Sequence, residues 1–166
     1  RPDSGIKGNR IVDSSPEDRQ RPGMESVLFW RHLGHAGALE FVNKNPENPD
    51  NISAGDGVPR AKIGGAFVVG YRKAKQNLAH VLAASAPPGH YLALSADPDK
   101  PLGAGNNWPS NARQLRVIDD KLDDGEPNNG QLLAGGMEAC ADTKADEVTY
   151  AVSRHAGCTL FYRLEQ

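Results

Sequence analysis

The segment Ala112-Arg-Gln-Leu-Arg-Val-Ile-Asp-Asp-Lys-Leu-Asp-Asp-Gly-Glu-Pro-Asn-Asn-Gly130 decides the fold, because it predicts a helix, then an acidic turn. Its apolar residues recur three or four positions apart at Ala112, Leu115, Ile118 and Leu122, which is the spacing of one helix face. We therefore expect Leu115, Ile118 and Leu122 to pack against a β-sheet.

The sequence also marks both ends of this helix, which we expect to run from Ser110 to about Asp123. Ser110 stands where an N-cap side chain accepts hydrogen bonds from the free amides of the first turn. Gly125 can adopt the left-handed conformation that ends a helix, and Pro127 prevents the helix from resuming. The short apolar run Gln131-Leu-Leu-Ala134 then predicts a strand.

Composition predicts one domain, residues 1–166, built from short elements. The chain has 18 glycines and 12 prolines but only 6% aromatic residues, which is not the composition of a helical bundle. Early helix and later strands predict the α+β class, with short helices packed on an antiparallel β-sheet. The predicted parts are an irregular lead-in (1–23), a helix from Gly23 or Ser26 to about Leu39, strands (66–71, 91–95 and 158–164), loops (43–60 and 97–109) and an ambiguous segment (76–84).

The first helix has an apolar stripe of Phe29, Leu33 and Ala36, which we expect to face the core. Met24 or Val27 extends this stripe at one end. Trp30 lies off the stripe, and we expect it to face a neighbouring loop.

Charge and motifs argue against nucleic-acid binding and against catalysis. The formal net charge is −2, and the longest basic cluster is Arg72-Lys-Ala-Lys75, whereas nucleic-acid-binding domains carry a basic face. The chain lacks a Gly-x-Ser-x-Gly elbow and the lysine of a phosphate loop. Cys158 and His155 are the nearest approach to a nucleophile and its base. We predict no catalytic residue, no nucleic-acid partner and an unknown binding site.

Two groups of residues have metal-ligand chemistry. His32 and His35 are three apart on a helix, but no third ligand accompanies them, so we predict an ordinary helix surface. The four carboxylates Asp119, Asp120, Asp123 and Asp124 offer oxygen ligands for calcium, although they do not match an EF-hand loop.

We predict that this acidic turn is structural, with calcium as the alternative and no other cofactor. Asp123 and Asp124 precede a glycine, where carboxylates commonly shape turns. Negative charge near a helix C-terminus opposes the helix dipole, so such carboxylates need compensating partners. For Asp119 we expect a nearby lysine or arginine.

The motif Ile-Asp-x-Lys-Leu-Asp-Asp-Gly-x-Pro-x-x-Gly at residues 118–130 resembles a segment in the globular domains of type IV pilin-like proteins. There it lies between the sheet and a C-terminal region that bears a disulfide. Phe29-Trp-Arg-His-Leu-Gly-His-Ala-Gly37 resembles a helix of the same proteins, and here it follows the loop Gly5-Ile-Lys-Gly-Asn9. With Cys140 and Cys158, these segments resemble the pilin and pseudopilin family over most of the chain.

The spacing of the two cysteines alone leaves open a disulfide or two separate buried thiols. The resemblance implies a pilin-like head in which Cys140 and Cys158 are bonded. A bonded Cys158 has no free thiol, which argues against a nucleophilic role for this residue. A disulfide in turn implies an oxidising setting, periplasmic or extracellular.

The resemblance implies a structural subunit, a major or minor pilin or a pseudopilin, of a type IV pilus or a type II secretion pseudopilus. Its partners would be other pilin subunits, and its full-length form would be anchored in the inner membrane before assembly. Pilins begin with a long hydrophobic helix that serves as anchor. The chain contains no such stretch and begins at Arg1 without an initiator methionine, which predicts a processed or truncated chain.

The alternative is a small secreted domain that binds a carbohydrate or a peptide. Trp108 and Tyr91 would be its stacking groups, because aromatic rings offer flat apolar faces to such ligands.

Overall fold

The computed structural model describes residues 11–40, 52–73, 86–104, 107–136, 140–144, 147–152 and 154–164, in which each of two helices is followed by four strands. The elements in these residues are α1 (Glu25–His35), β1 (Ser53–Ala54), β2 (Gly57–Val58), β3 (Ala66–Arg72), β4 (Gly89–Ser95), α2 (Ala112–Leu122), β5 (Leu132–Gly136), β6 (Ala141–Lys144), β7 (Glu147–Tyr150) and β8 (Cys158–Arg163). The predicted α+β class is confirmed. No helix among these residues has the length and apolar character needed to cross a membrane. The ambiguous segment 76–84 lies outside the described residues.

The central sheet has four antiparallel strands in the order β3-β4-β8-β5. The last strand of the chain, β8, therefore lies inside the sheet and pairs with both β4 and β5. Two smaller pairs stand apart from it, β1 with β2 and β6 with β7. The hairpin of β6 and β7 was not predicted, and β1 and β2 fall within the predicted loop 43–60.

The register gives the sheet two faces, because side chains alternate along each strand. One face, which we call the helix face, has Leu94, Leu132 and Leu160 packed under α2, and Val69 packed under α1. The other face carries buried Val68, Tyr91, Ala93, Leu133 and Phe161, packed with Ala86 and Leu102.

Residues 11–23 contain neither helix nor strand, yet they are hydrogen-bonded to the rest of the domain. The amide of Tyr71 donates to the carbonyl of Ser14 at 2.8 Å, and the amide of Gln20 donates to the carbonyl of Pro98 at 2.8 Å. A Cβ atom added at Gly70 would collide with the backbone of residues 14–16. Glycine at this position therefore permits the close approach of the two chain segments.

The predicted inner face of α1 is wrong at Ala36 and at Trp30, whereas Val27 is buried as expected. The helix ends at His35 rather than near Leu39, and its buried residues are Ser26, Val27, Trp30 and Gly34. Trp30 is only 7% exposed, whereas Phe29 and Leu33 are half-buried and Ala36 is exposed. Apolar residues occupy most sides of this helix, so spacing alone did not select a face. Burial of the large indole removes more apolar area from water than burial of an alanine.

The predicted face of α2 is wrong at its C-terminal end. Ala112, Leu115 and Asp119 are buried and Ile118 is half-buried, but Leu122 is 67% exposed. A carboxylate therefore occupies the last inward position of the helix, where the spacing had predicted a leucine.

The N-cap of α2 is Asn111, not Ser110. The Asn111 side chain accepts from the amide of Gln114, and the Gln114 side chain accepts in return from the amide of Asn111, which forms a capping box. The amide and carbonyl of Ser110 instead pair with the backbone of Cys158 in β8. The start of α2 is thereby attached directly to the central sheet.

The predicted disulfide between Cys140 and Cys158 is present, with their Cα atoms 5.2 Å apart. Both residues are fully buried. The bond encloses the β6–β7 hairpin and ties it to β8. Closure of a loop of this size stabilises a fold by about 3 kcal/mol in the chain-entropy account.

We predict that two leucines of α2 differ sharply in their contribution to stability. Leu115→Ala should lower the free energy of unfolding by about 2–5 kcal/mol, because it leaves a cavity in the core. Leu122→Ala should lower it by less than about 0.5 kcal/mol, because that side chain is mostly exposed. Urea denaturation of both variants measures the difference, and equal losses would contradict the described helix face.

Candidate functional site

The acidic turn after α2 is a closed network of hydrogen bonds around Asp123. The Asp123 amide donates to the carbonyl of Asp119 at 2.8 Å, which caps the helix. One carboxylate oxygen of Asp123 accepts from the amides of Gln131 at 2.5 Å and Leu132 at 2.7 Å. A single side chain therefore joins the end of α2 to the start of β5.

Asp119 is fully buried on the inner face of α2. Its carboxylate accepts from the hydroxyl of Tyr150 at 2.7 Å and from the amide of Gly125 at 3.4 Å. Burial raises the pKa of Asp119 to about 6, although the hydrogen bonds from Tyr150 and Gly125 act in the opposite direction. Burial and the neighbouring Asp119 in turn raise the pKa of the Tyr150 hydroxyl.

The expected lysine or arginine partner of Asp119 was therefore wrong, since the partner is a tyrosine from the unpredicted hairpin. Tyr150 lies 31 residues further along the chain. A local sequence pattern gives no signal for a contact of that separation.

The structure brings together three of the four predicted carboxylates. Asp119, Asp123 and Asp124 place ligand oxygens within 4.8 Å of one another. Asp124 is exposed and accepts from the amide of Glu126 at 2.9 Å. Asp120 does not belong to this group, and its carboxylate lies 3.8 Å from the Nε atom of Arg116.

Calcium requires six to eight oxygen ligands, and the group offers three carboxylates. Each of these already accepts a hydrogen bond, from Tyr150, from backbone amides or from both. Their geometry accounts fully for a turn held by side-chain acceptors. Calcium binding stays a prediction.

Two glycines complete the turn. Gly125 has a φ of 77°, and an added Cβ would meet the Asp120 carboxylate. Gly130 has a φ of 78°, and an added Cβ would collide with the carboxylate of Asp123. Gly125 was predicted to be left-handed, although it follows the C-cap Asp123 by two residues and so does not itself end the helix.

The other candidate residues are not assembled into a site. His32 and His35 are exposed, and in the described parts of the chain they belong to no group of three potential metal ligands. Tyr91 is fully buried and its hydroxyl donates to the carbonyl of Pro87. Trp108 is also buried. The expectation that Tyr91 and Trp108 stack on a ligand is therefore wrong, because neither ring is accessible.

An apolar groove, which the sequence analysis missed, runs along the helix face between α1 and α2. It consists of two adjoining cavities of about 460 and 530 Å³ that share Lys62, Phe67 and Leu92. We call it the apolar trough. Its remaining lining is Trp30, Leu39, Pro59 and Arg60 on the α1 side, and Ala61, Ile63, Ile118, Leu122, Leu132, Leu160 and Tyr162 on the α2 side.

We predict that the Asp119 carboxyl makes stability depend on pH. Its pKa is about 6 in the fold, against 3.8 for an ordinary aspartate, so its contribution is fully present below pH 3.8 and is lost as the pH rises through 6. Over this window the free energy of unfolding should fall on the order of 2 kcal/mol relative to Asp119→Asn. Denaturant melts of both proteins across the window measure this.

A companion variant tests the cause. Tyr150→Phe removes the hydroxyl that lowers the Asp119 pKa, so the window should move to higher pH. Parallel curves for the wild type and Asp119→Asn would contradict the prediction.

We predict that the neighbouring carboxylates of Asp123 and Asp124 contribute unequally to the free energy of unfolding. Asp123→Ala leaves the amides of Gln131 and Leu132 without their acceptor and should cost about 2–4 kcal/mol of unfolding free energy. Asp124→Ala is the matched control, because that exposed side chain accepts one hydrogen bond, and it should cost less than about 1 kcal/mol. Thermal denaturation compares the two, and faster hydrogen exchange at residues 131 and 132 should accompany the first alone.

Comparison with known proteins gives no further assignment. The chain matches no protein-family model, no curated protein and no solved structure. Any functional conclusion therefore depends on the contacts and surfaces of the chain itself.

Proposed function

We propose that this chain is the globular domain of a pilin-like structural subunit, which acts by assembly into a type IV pilus or a type II secretion pseudopilus. The segments that resemble pilins occupy defined places in the fold. Residues 118–130 form the end of α2 and the acidic turn that leads into β5, and residues 29–37 overlap α1. The Cys140–Cys158 disulfide closes the C-terminal region, as the resemblance implies.

The apolar trough is the observation that carries the proposal. The chain is polar overall, with a mean hydropathy of −0.57, yet this groove on the helix face is lined mostly by aliphatic and aromatic side chains. Phe67 and Leu92 on its floor are only half-buried. An open apolar surface of this kind marks a site of interaction with another element or molecule.

The position of the trough suits a helix. It lies on a sheet face between Trp30 of α1 and Ile118 and Leu122 of α2, so an apolar helix laid into it would complete a helical layer. We propose that it receives the hydrophobic helix of a pilin subunit. On this proposal the partners are other pilin subunits.

The proposed location follows from the same role. The subunit would be anchored in the inner membrane before assembly and would then enter a periplasmic or extracellular filament. The buried disulfide supports an oxidising compartment, because such bonds persist where thiols are not kept reduced.

We predict that deletion of the full-length gene abolishes pilus assembly, with the motility that depends on it, or type II protein secretion. Wild-type complementation should restore the lost activity. Complementation with Ile63→Ser/Leu122→Ser should restore it several-fold less well, because both residues present exposed apolar surface at the rim of the trough. Filament counts, motility and secreted protein are the measurements.

Val117→Ser is the matched control, since Val117 is 47% exposed on the same helix as Leu122 and does not line the trough. It should restore activity as the wild type does, and melting curves should show that all variants fold. Normal filaments and normal secretion after deletion, with measurable ligand affinity of the isolated domain, would instead favour the secreted binding domain.

A further inference from the structure

We propose that Arg113, Arg116 and Arg154 form a binding site for an oxyanion, meaning a phosphate, sulfate or carboxylate group. The three arginines line one cavity of about 210 Å³ beside the β6–β7 hairpin. Arg113 and Arg116 are three residues apart on α2 and share one face of the helix. Arg154 enters from the connection between β7 and β8, so the site joins two separate parts of the chain. This inference is independent of the proposed role in a filament.

Three positively charged side chains line this one cavity. Like charges repel each other, so a bound anion would lower the electrostatic energy there. Arg113 lies in the first turn of α2, which contains no acidic residue. The positive end of the helix dipole therefore adds to the repulsion there, and a bound anion would relieve both effects.

Among the residues that the structure describes, few acidic groups compensate these charges. Arg116 lies 3.8 Å from Asp120, and both side chains are more than half exposed, so this pair is weak. Glu126 and Glu147 line the neighbouring cavity, which shares Arg116 and Tyr150 with the arginine cavity. Acidic groups thus border the site on the Arg116 side.

Arg113 and Arg154 form the part of the cavity in which we expect the anion to bind. Both are exposed, and within the described ranges neither forms an ion pair.

Three arginines select oxyanions more specifically than a general basic surface does. A guanidinium group is planar and donates two parallel hydrogen bonds to a carboxylate, sulfate or phosphate. A cavity of about 210 Å³ has room for several water-sized groups of about 30 Å³ each, which is enough space for an oxyanion of four or five heavy atoms. Ala151 and Val152 form an apolar wall, and Val152 is 92% exposed. An anionic group on an apolar stem therefore fits as well as a free ion.

The test is a titration of the whole chain with inorganic phosphate, followed by NMR and with chloride at equal ionic strength as the reference. We expect saturable shifts at the three arginines and at residues 150–152. Arg113→Gln/Arg154→Gln should weaken phosphate binding about tenfold or more, because it removes two charged donors. Both substituted side chains are exposed, so the variant should melt as the wild type does.

Arg21→Gln/Arg31→Gln is the matched control, because it removes the same charge from two residues that do not line the cavity and should leave the affinity unchanged. Sedimentation velocity then identifies the source of the anion. The wild type could self-associate in a way that phosphate reverses and that the cavity variant does not show. This result would assign the bound anion to an acidic side chain of a second copy. Phosphate binding by a monomer assigns it to a free ion. Shifts that do not saturate, or equal affinity in the cavity variant, would overturn the proposal.

Discussion

The carboxylate of Asp123 connects α2 and β5, two elements that would otherwise be joined only by the nine residues 123–131. It accepts from two consecutive amides, those of Gln131 and Leu132, while its own amide caps α2 through the carbonyl of Asp119. A charged acceptor shared by two backbone donors is a strong local constraint. Because β5 pairs with β8 and β8 carries Cys158, this constraint extends from the helix through the sheet to the disulfide.

Local sequence properties predicted the four strands of the central sheet well, but they missed the smaller strand pairs and predicted the helix faces poorly. The apolar runs at residues 66–71 and 158–164 belong to buried or half-buried strands, so their composition alone identifies them. A helix face depends on what lies opposite. In α2 the spacing of apolar residues predicts that Leu122 is buried and that the polar Asp119 is exposed. Asp119 is the buried residue instead, because the Tyr150 hydroxyl from a distant part of the chain donates a hydrogen bond to it. In α1 the same limitation misplaced Trp30.

The acidic turn was predictable as a turn because Asp, Gly and Pro have strong local preferences. Its contact with the β6–β7 hairpin was not, and the same hairpin helps to form the arginine cavity. The spacing of residues in the sequence predicts neither the arginine cavity nor the apolar trough, because the residues that line them come from elements far apart in the chain. The two surfaces also differ in chemistry. The trough is apolar and lies on the helix face, whereas the cavity is cationic and lies beside the hairpin, so the domain offers two kinds of contact at once.

On each outer strand of the sheet, β3 and β5, two outward-facing backbone donors are already occupied. The donor and acceptor pairs are Phe67 with Pro59 and Tyr71 with Ser14 in β3, and Leu132 with Asp123 and Ala134 with Pro127 in β5. A sheet edge protected in this way gives little opportunity for a strand of another molecule to pair with it. Such protection guards the isolated domain against edge-to-edge aggregation. It also means that contacts between copies would be made by side chains, and that the sheet of each copy would end at its own boundary.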